Sequence, residues 1–539
     1  ANRSPCVKKQ DWYAKGSEML LHDYVDYHAR ETPDAEFAVM GDQRYSYGEA
    51  NEQINQVAQA FVAGGFEKGA RVAILSTNNP EYMFLYYGAS KAGVVPVTLN
   101  YRLVPAEWAY IINDAGAEMV FVSGGYVDQI DGIRDELETV TDFVSIGGAG
   151  QSGWTDFHTW IADQPTSPPQ RSISSGDDSI QMYTSGTTGL PKGAVLSHDN
   201  LTINLAQSAP AIDFRAGDRV LIVAALLHVA GAFVAFSSNQ RGASLYIQEE
   251  FAPAEAVRAL DEDGIQCALL VPAMIQACLQ AVPGVAERSY SNLRLIVWGA
   301  SPIAEDTLRV GLDVFKCEFV EAFGMTELSP IATTMSYADH LRAMEGSPGL
   351  LQSAGRAITG TEIRIVDEDD NPVANGVMGE VVVRGPQVMK GYWNMPEATA
   401  EAIRDGWMHT GDAGTLDDEG YLYIKDRIKD MIVSGGENVY PKTVETVLFT
   451  HPVIADAAVI GVPDERWGET VKAVVVLVDG ESVSEADVID YCRDQMSGFE
   501  RPRSVEFVEV LPRNAGGKVL KRELREPYWE GRGRRVAGS

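Results

Sequence analysis

Cysteine and basic residues are scarce in this chain, and both shortages exclude whole classes of protein. The five cysteines among 539 residues are scattered and form no Cys-x-x-Cys pair, so neither a disulfide framework nor a zinc site is expected. Lysine and arginine number 44 against 76 acidic residues, which gives a formal net charge of −32. Because such a chain repels other polyanions, we expect no nucleic-acid partner and no anionic membrane surface.

Long apolar runs are also missing, although one segment comes close. Residues 220–236 contain one ionisable group, His228, in 17 residues, which is the lower edge of membrane-spanning length. Because Gly217 and Asp218 precede this run and polar residues follow it, we interpret it as a buried strand that leads into a core helix. The first eleven residues show no apolar stretch of the signal-peptide kind. We therefore expect a cytoplasmic protein with no transmembrane segment.

The hydrophobic pattern changes twice along the chain, which is too long for one ordinary domain. Residues 71–97 are predicted to form strand, helix and strand, and this βαβ order indicates a parallel sheet covered by helices. Short strands separated by turns then indicate a small antiparallel β-barrel, and an α+β pattern follows. The predicted fold class is α/β, with a large N-terminal domain of parallel-rich sheets over residues 1–428, its β-barrel part at about 350–428, and a small mobile α+β C-terminal domain over residues 429–539.

The strongest local signal is a loop rich in hydroxyl groups and glycines at residues 183–193. Its sequence, YTSGTTGLPKG, follows a predicted strand over residues 179–183. Glycines let backbone N–H groups approach an anion, hydroxyls donate hydrogen bonds, and Lys192 supplies positive charge. The loop lacks the spacing of a Walker A motif, and a flexible turn would rarely have this composition together with a lysine. The pattern predicts a binding site for a polyphosphate.

A second glycine-rich stretch, residues 148–153, fits the dinucleotide pattern Gly-x-Gly-x-x-Gly. A dinucleotide site would need a long packed helix directly after the glycines and an acidic residue about 20 positions further on. Instead, a short segment leads to the proline-rich residues 164–170. We interpret residues 148–153 as a surface loop.

The loop at residues 183–193 is similar to the signature of the adenylate-forming superfamily. This superfamily comprises acyl- and aryl-CoA synthetases, the adenylation domains of peptide synthetases, and firefly-type luciferases. Further motifs resemble those of the superfamily, in the same order: EAFGMTE at 321–327, WMHTGD at 407–412, DRIKDMI at 426–432, SGGENVYP at 434–441 and GGK at 516–518. Together they span nearly the whole chain, and they are most like those of acyl-CoA synthetases of the fatty-acid–CoA ligase type.

The resemblance implies positions that would bind ATP and Mg²⁺. The β- and γ-phosphates would be held by Thr184, Ser185, Gly186, Thr187, Thr188 and Lys192. Thr326 would contact the α-phosphate, and Glu327 would hold Mg²⁺, since a carboxylate beside phosphate oxygens is a normal magnesium environment. The adenine would lie between two segments, Gly299, Ala300, Ser301 and Glu321, Ala322, Phe323. Asp412 and Arg427 would bind the ribose. Phe323 stands where the family usually has tyrosine, so stacking is kept and one hydroxyl contact is lost.

The resemblance also implies two lysines with separate tasks in the C-terminal domain. Lys518 would be catalytic, because a lysine that bridges the attacking carboxylate and the phosphate stabilises the charge of the transition state. Lys429 would be the hinge about which the small domain rotates after pyrophosphate leaves. Ser434, Gly435 and Gly436 would then leave room for the pantetheine arm of coenzyme A. From composition alone, either lysine could equally be a solvated surface residue.

The acid substrate is the part that the sequence defines least. The resemblance places His228, Phe233, Trp298 and Gly324 at the substrate pocket, with His228 next to the chemistry. A lone histidine in an apolar run is more often a buried core residue, and Trp298 is as easily explained by core packing as by a narrowed acyl pocket. No acidic residue lies between Val220 and Gln248, which disfavours an amino acid as substrate.

The function predicted from the sequence is therefore an ATP-dependent acid–CoA ligase. A medium- to long-chain fatty acid is the first substrate predicted, with aryl or alicyclic acids as the alternative. A stand-alone adenylation enzyme that serves a carrier protein and a luciferase-like oxygenase stay open as other classes, whereas Lys518, Glu327 and Asp412 together argue against a non-catalytic ATP-binding protein. The expected partners are a small carboxylic acid, ATP and CoA, and a homodimer is left open.

Overall fold

The computed structural model describes residues 19–148, 152–184, 190–301, 303, 305–427, 430–434, 437–464, 466–493, 495–513 and 519–530. Contacts between Cα atoms divide the chain into two compact units. The first comprises residues 1–250, 326–330 and 386–396, and the second comprises residues 251–325, 331–385 and 397–539. The domain boundary near residue 428 stays a prediction.

The first unit is built on an eight-stranded sheet with a parallel centre. Its strands, in spatial order, are Gly391–Tyr392, Lys192–Ser197, Asp178–Thr184, Val95–Thr98, Arg71–Leu75, Ala117–Ser123, Asp142–Ile146 and Thr155–Asp156. The first three strands pair antiparallel and the remaining pairs are parallel. The predicted parallel α/β sheet is thus confirmed.

Four further strands of the first unit lie side by side, namely Arg219–Ile222, Ser244–Ile247, Glu36–Met40 and Gln43–Ser46. Its helices are Asp23–Glu31, Tyr47–Ala63, Pro80–Ala92, Pro105–Ala115, Val127–Ile133, Phe157–Ile161, His198–Ser208 and Val229–Arg241. The apolar run at residues 220–236 therefore forms a strand and most of a core helix, as predicted. Within the described residues, no helix is long and apolar enough to cross a membrane.

The βαβ unit of this sheet shows how local sequence sets the helix ends. The Asn79 side chain accepts a hydrogen bond from the Tyr82 N–H, and Pro80 occupies the first turn, where its missing N–H costs nothing. The helix ends at Gly93, which has a left-handed φ of 72° that glycine adopts without strain. Every residue of Pro80–Ala92 is buried, which explains why its apolar side chains occur on all sides.

Within its described residues, the second unit contributes strands to three sheets. The first has parallel strands Cys267–Leu269, Leu295–Gly299 and Glu318–Gly324, continued antiparallel by Ile331–Met335 and Arg356–Ala357. The second is antiparallel and consists of Glu362–Val366, Gly379–Arg384, Trp407–Leu416, Ile403–Arg404 and Leu422–Arg427. This second sheet corresponds to the antiparallel element that the sequence predicted at about 350–428.

The third sheet of the second unit lies in the last hundred residues of the described chain. Its strands are Glu437–Val439, Ile432–Ser434, Gly468–Leu477, Ile454–Asp464 and Ser504–Phe507. Helices of the second unit are Pro253–Glu262, Pro272–Ala281, Glu305–Phe315, Tyr337–Glu345, Pro396–Ala402, Pro441–Leu448, Glu485–Tyr491 and Lys521–Trp529. Valine, isoleucine and leucine side chains between the long strand pair and the helices form its core. The α+β pattern predicted after residue 429 is confirmed.

Candidate functional site

A buried carboxylate, Glu327, lies at the centre of the candidate site of the first unit. It belongs to the short 3₁₀ turn Thr326–Leu328 and is 4% exposed. Its Oε1 accepts a hydrogen bond from the Thr184 hydroxyl at 3.0 Å and another from the Tyr392 hydroxyl at 2.9 Å. Two hydroxyl donors on one carboxylate oxygen hold the Glu327 side chain in one orientation. Two of the sequence motifs, near residues 184 and 327, thus meet in the structure.

Lys192 lies beside the same group of side chains. It pairs with Thr184 across the antiparallel strands Asp178–Thr184 and Lys192–Ser197, so both residues flank the predicted phosphate loop. The Lys192 Nζ lies 5.2 Å from the centre of the Tyr392 ring, within the range of a cation–π contact. Ser185, Gly186, Thr187 and Thr188 fall outside the described residues.

Tyr392 is a site residue that the sequence reasoning missed. It contacts both Glu327 and Lys192, yet it lies 200 positions after Lys192 in a segment without a distinctive pattern. The short strand Gly391–Tyr392 pairs antiparallel with Val195 and Ala194, and this pairing brings the tyrosine to the loop. The Gly-Tyr pair was the signal present in the sequence, and it is too common to identify a site on its own.

The strand before the phosphate loop is anchored at Tyr183. Its hydroxyl donates to Asp114 at 2.5 Å, and burial, followed by the Asp114 carboxylate, raises the pKa of Tyr183. Gly193 faces this ring: a Cβ at that position would lie 2.7 Å from the Gln181 side chain and 3.0 Å from the Tyr183 ring. The glycine therefore lets the Tyr183 ring pack directly against the neighbouring strand.

His228 and Phe233 lie at the start and in the first half of the buried helix Val229–Arg241. The His228 Nε2 is buried without a hydrogen-bond partner, and burial lowers the pKa of His228 to about 4. The ring is therefore neutral at pH 7. Gly231 must be small, because a Cβ there would lie 2.3 Å from the Ala225 carbonyl oxygen.

The two segments predicted to hold adenine are neighbours in the second unit. Gly299 and Ala322 are register partners on the parallel strands Leu295–Gly299 and Glu318–Gly324. A Cβ on Gly299 would lie 2.1 Å from the Ala322 carbonyl oxygen, so the strands approach closely only because residue 299 is glycine. Ala300 follows with a left-handed φ of 67°, which turns the chain towards Ser301. Phe323 and Gly324 end the adjacent strand at the same edge.

Glu321 brings an unusual carboxyl group to this edge. The residue retains some exposure, but its Oε2 is buried and has no hydrogen-bond partner. Burial raises the pKa of Glu321 to about 8, against a smaller opposing effect of Lys442. At neutral pH the group is therefore largely protonated, and it can both donate and accept a hydrogen bond.

Asp412 and Arg427, predicted to bind the ribose, are also register partners, on strands Trp407–Leu416 and Leu422–Arg427. Asp412 is 5% exposed. Its backbone N–H donates to the Thr410 hydroxyl at 3.1 Å, and the preceding Gly411 N–H donates to Glu380 at 3.0 Å. These bonds fix the backbone on both sides of the carboxylate. For Arg427 the structure describes the backbone but not the side chain.

The predicted catalytic lysine, the hinge and most of the glycine loop lie outside the described residues. These are Lys518, Lys429, Gly435 and Gly436; Ser434 is described, at the end of the strand Ile432–Ser434. On either side of the lysine motif, Arg513 and Val519 form an antiparallel bridge.

The helix Lys521–Trp529, directly after the lysine motif, is held by two ion pairs that are largely buried. Lys521 Nζ lies 2.8 Å from Glu445, and Arg525 lies 2.8 Å from Asp430. Side-chain exposure is between 10% and 15% in both pairs, so water screens them little. The Arg525–Asp430 pair connects the helix to the residue that follows the predicted hinge, Lys429.

Two family models match the chain. The model described as "AMP-binding enzyme" matches residues 25–393, and the model described as "AMP-binding enzyme C-terminal domain" matches residues 443–518. Together they cover three of the six motifs identified in the sequence, those at residues 183–193, 321–327 and 516–518, and the second model ends at the predicted catalytic lysine.

Several characterised proteins are similar over almost their whole length. The fatty acid–[acyl-carrier-protein] ligase ScoC of Streptomyces coeruleorubidus is 36% identical over 519 residues, which cover 95% of this chain and 97% of that protein. The long-chain-fatty-acid–CoA ligase FadD13 of Mycobacterium tuberculosis is 37% identical over 491 residues, or 90% and 94%. A feruloyl-CoA synthase of Amycolatopsis is 36% identical over 502 residues, or 93% and 97%.

A solved structure agrees with this similarity. The fatty acyl CoA synthetase of Mycobacterium tuberculosis superposes with a TM-score of 0.76 at 34% sequence identity, over 95% of this chain and 99% of that one. The likeness therefore extends over both units and not only over the phosphate loop.

Proposed function

The chain belongs to the AMP-binding enzyme family of acid–thiol ligases, and on that premise we propose that it forms an acyl-CoA from a carboxylic acid, ATP and coenzyme A. One observation carries most weight. The Glu327 carboxylate accepts hydrogen bonds from Thr184, at the start of the phosphate loop, and from Tyr392. A buried carboxylate fixed beside a loop for polyphosphate is what a nucleotide with its metal requires.

In the first half-reaction, a carboxylate oxygen of the acid attacks the α-phosphorus of ATP. A bond from that oxygen to phosphorus forms, the bond to the bridging oxygen breaks, and pyrophosphate leaves. No general base is needed, because carboxylic acids are ionised at neutral pH. The main obstacle is the approach of two anions, and a positioned cation lowers it. We assign this task to Lys518, with Thr326 beside the α-phosphate.

Glu327 is the residue that we propose to hold Mg²⁺. Both hydroxyl donors reach its Oε1, which orients the carboxylate so that Oε2 can bind a cation. Magnesium prefers such oxygen ligands and takes the rest of its shell from phosphate and water. When bound, the ion would neutralise phosphate charge as pyrophosphate departs. Thr184 to Thr188 and Lys192 would bind the β- and γ-phosphates.

The nucleoside would be held by residues of the second unit. Asp412, with Arg427 as its strand partner, suits the two ribose hydroxyls, since a carboxylate can accept a hydrogen bond from each. The unpartnered Glu321 Oε2 suits a ligand with a hydrogen-bonding amino group and ring nitrogens, which adenine provides. Phe323 offers a ring for stacking, and Gly299, the strand partner of Ala322, adds no side chain at this edge.

In the second half-reaction, the thiol of coenzyme A attacks the carbonyl carbon of the acyl-adenylate. A carbon–sulfur bond forms, the carbon–oxygen bond to AMP breaks, and the thiol proton passes to solvent. We propose that residues 429–539 rotate about Lys429 between the two steps. That motion would withdraw Lys518 and bring Ser434, Gly435 and Gly436 to the pantetheine arm.

For the acid, we propose a medium- to long-chain fatty acid, with His228, Phe233, Trp298 and Gly324 contributing to its recognition. Two similar proteins named for fatty acids support this choice. The absence of acidic residues between Val220 and Gln248 argues against a substrate amine. An aryl acid is the second candidate, because a feruloyl-CoA synthase is almost equally similar.

The acyl acceptor and the cellular location are also proposals. ScoC is named for a carrier protein, so CoA must be compared directly with that acceptor. We also propose a cytoplasmic protein, where the four described cysteines, all buried free thiols, would stay reduced.

The test is pyrophosphate release with Mg·ATP over fatty acids from butanoate to hexadecanoate, aryl acids and amino acids, with CoA, with a phosphopantetheinyl carrier protein, or with neither. Multi-turnover release that needs CoA supports the ligase, and the best acid names the substrate. If pyrophosphate release stays at one equivalent with CoA but becomes multi-turnover with the carrier protein, CoA is refuted as the acyl acceptor. The Lys518→Ala variant is the control: it should abolish release with every acid.

A further inference from the structure

Two buried aromatic rings in the second unit each carry a polar atom without a partner. Trp298 is 2% exposed and its Nε1 has no hydrogen-bond partner. His340 is fully buried, and its Nε2 has none either. The two rings are in edge-to-face contact, with 6.1 Å between their centres. Buried polar atoms in native proteins nearly always have partners, so two such atoms in one place point to a group that pairs with both.

The two atoms have complementary chemistry. The His340 Nδ1 lies 2.8 Å from the Ser336 carbonyl oxygen, which can only accept, so Nδ1 carries the hydrogen. Burial also lowers the pKa of His340, so the ring is neutral and Nε2 is an acceptor. The Trp298 Nε1 is always a donor. A group that accepts from Trp298 and donates to His340 would satisfy both, and a hydroxyl is the smallest organic group that does.

The position of Trp298 connects this pair with ligand binding. Trp298 is the last residue but one of the strand Leu295–Gly299, at the carboxyl edge of the parallel strands. Ligands of open α/β sheets bind outside this edge. The next residues, Gly299 and Ala300, are those proposed for the nucleotide, and the helix Tyr337–Glu345, which carries His340, packs against the strand Glu318–Gly324.

We propose that Trp298 and His340 form a polar subsite that recognises a hydroxyl group on the tail of the acid substrate. The preferred substrate would then be a hydroxylated acid rather than a plain fatty or aryl acid. This inference rests on the proposed ligase function and names its substrate class. The hydroxyl oxygen accepts from the indole N–H, and its hydrogen is donated to the imidazole. An acid without the hydroxyl would leave both buried atoms unpaired, and such sites discriminate strongly.

The experiment compares matched acids that differ only in the hydroxyl. The pairs are ω-hydroxyoctanoate with octanoate, and para-hydroxyphenylpropanoate with phenylpropanoate, so that an alkyl and an aryl source of the hydroxyl are separated. The readout is kcat/KM for acyl-CoA formation. We expect the wild-type enzyme to prefer the hydroxylated acid of at least one pair by about tenfold or more.

Three variants test whether Trp298 and His340 cause the preference for the hydroxylated acid. Trp298→Phe keeps an aromatic ring but removes the donor, and His340→Phe removes the acceptor; either should reduce the preference to within about threefold, mainly by lowering kcat/KM of the hydroxylated acid. His340→Gln retains a side-chain acceptor, so it should keep more of the preference for the hydroxylated acid than His340→Phe does. Trp108→Phe is the matched control, because the Trp108 indole N–H is already paired with the Asn100 carbonyl oxygen at 2.8 Å. It should leave the preference unchanged.

The outcomes separate this proposal from the ligase function. If no acid of either pair, nor any in the wider panel, yields acyl-CoA, the proposed function fails. If unsubstituted acids react as well as hydroxylated ones in the wild-type enzyme, only the subsite is refuted, and that comparison needs no folded variant. The subsite is equally refuted if the preference survives Trp298→Phe and His340→Phe, or if an ordered water bridges the two rings in a crystal with a bound hydroxylated acyl-adenylate.

Discussion

The Tyr392 hydroxyl is the clearest single atom with which to test the candidate site. It donates to Glu327 at 2.9 Å, while its ring contacts Lys192 at 5.2 Å. The variant Tyr392→Phe removes the hydrogen bond and keeps the ring, so the two contributions are separated. Thr184 still donates to the same carboxylate oxygen.

The size of the effect follows from the charge and burial of the acceptor. A hydrogen bond to a charged group contributes about 1.5 to 3 kcal/mol. Because Glu327 is 4% exposed, water cannot easily replace the lost donor. If the carboxylate must be held in place for adenylation, this energy corresponds to a loss of roughly 10- to 150-fold in kcat/KM for ATP.

The assay is acid-dependent exchange of pyrophosphate into ATP, measured over a range of Mg²⁺ concentrations. We expect Tyr392→Phe to lower the exchange rate and to raise the Mg²⁺ concentration needed for half-maximal rate, with little change in thermal stability. The control is Tyr423→Phe, which removes another tyrosine-to-carboxylate hydrogen bond, to Asp417 at 3.2 Å. That variant should leave the Mg²⁺ dependence unchanged.

The reasoning would be refuted by a Tyr392→Phe enzyme within about twofold of wild type at every Mg²⁺ concentration. In that case the hydrogen bond would be a packing feature, and Glu327 would not need it to bind a cation. A variant that is equally weakened at all Mg²⁺ concentrations would place the effect on the nucleotide instead.

Three other predictions concern stability. In Gly299→Ala, a Cβ would lie 2.1 Å from the Ala322 carbonyl oxygen, so the strands must separate by about 1 Å. We expect the free energy of unfolding, measured with denaturant, to fall by about 1 to 3 kcal/mol. An unchanged unfolding midpoint would contradict the close approach of the strands. Between the ordinary pKa of 4.5 and about 8, folded Glu321 keeps a proton that the unfolded chain releases. Stability should therefore fall by up to about 1.4 kcal/mol per pH unit as the pH rises through this window, and Glu321→Gln should flatten that slope; equal slopes in both proteins would disprove the burial effect. Arg525→Ala removes a partner of the buried Asp430 and should speed proteolytic cleavage between residues 430 and 530. The control Arg30→Ala, which removes an exposed ion pair, should speed cleavage less at every site.

Much of the fold was predictable because the signals are local. Asn79, Pro80 and Gly93 mark the ends of the helix that was predicted within residues 71–97, and the apolar run at 220–236 was correctly interpreted as a strand and a core helix. Turn-separated short strands indicated the antiparallel sheet of residues 362–427. Such features depend on neighbours within a few positions, so backbone sterics and hydrophobic periodicity suffice to identify them.

The site was predictable in part. The motifs at 184, 327, 299, 321 and 412 carry enough glycines, hydroxyls and carboxylates to stand out, and the structure brings Thr184 to Glu327 and Gly299 to Ala322. Tyr392 was missed, because its role depends on the antiparallel pairing of a two-residue strand with residues about 200 positions earlier. Such a pairing has no local signature.

The sequence by itself determined the family of this protein and its α/β class, and it predicted a phosphate loop, since each depends on residue types at short, ordered spacings. Only the tertiary structure decided which polar atoms are left without partners. The protonated Glu321 and the unpaired Trp298 and His340 result from burial on strands and helices that are distant in the chain. Burial is a property of the packed core, and no short stretch of sequence records it.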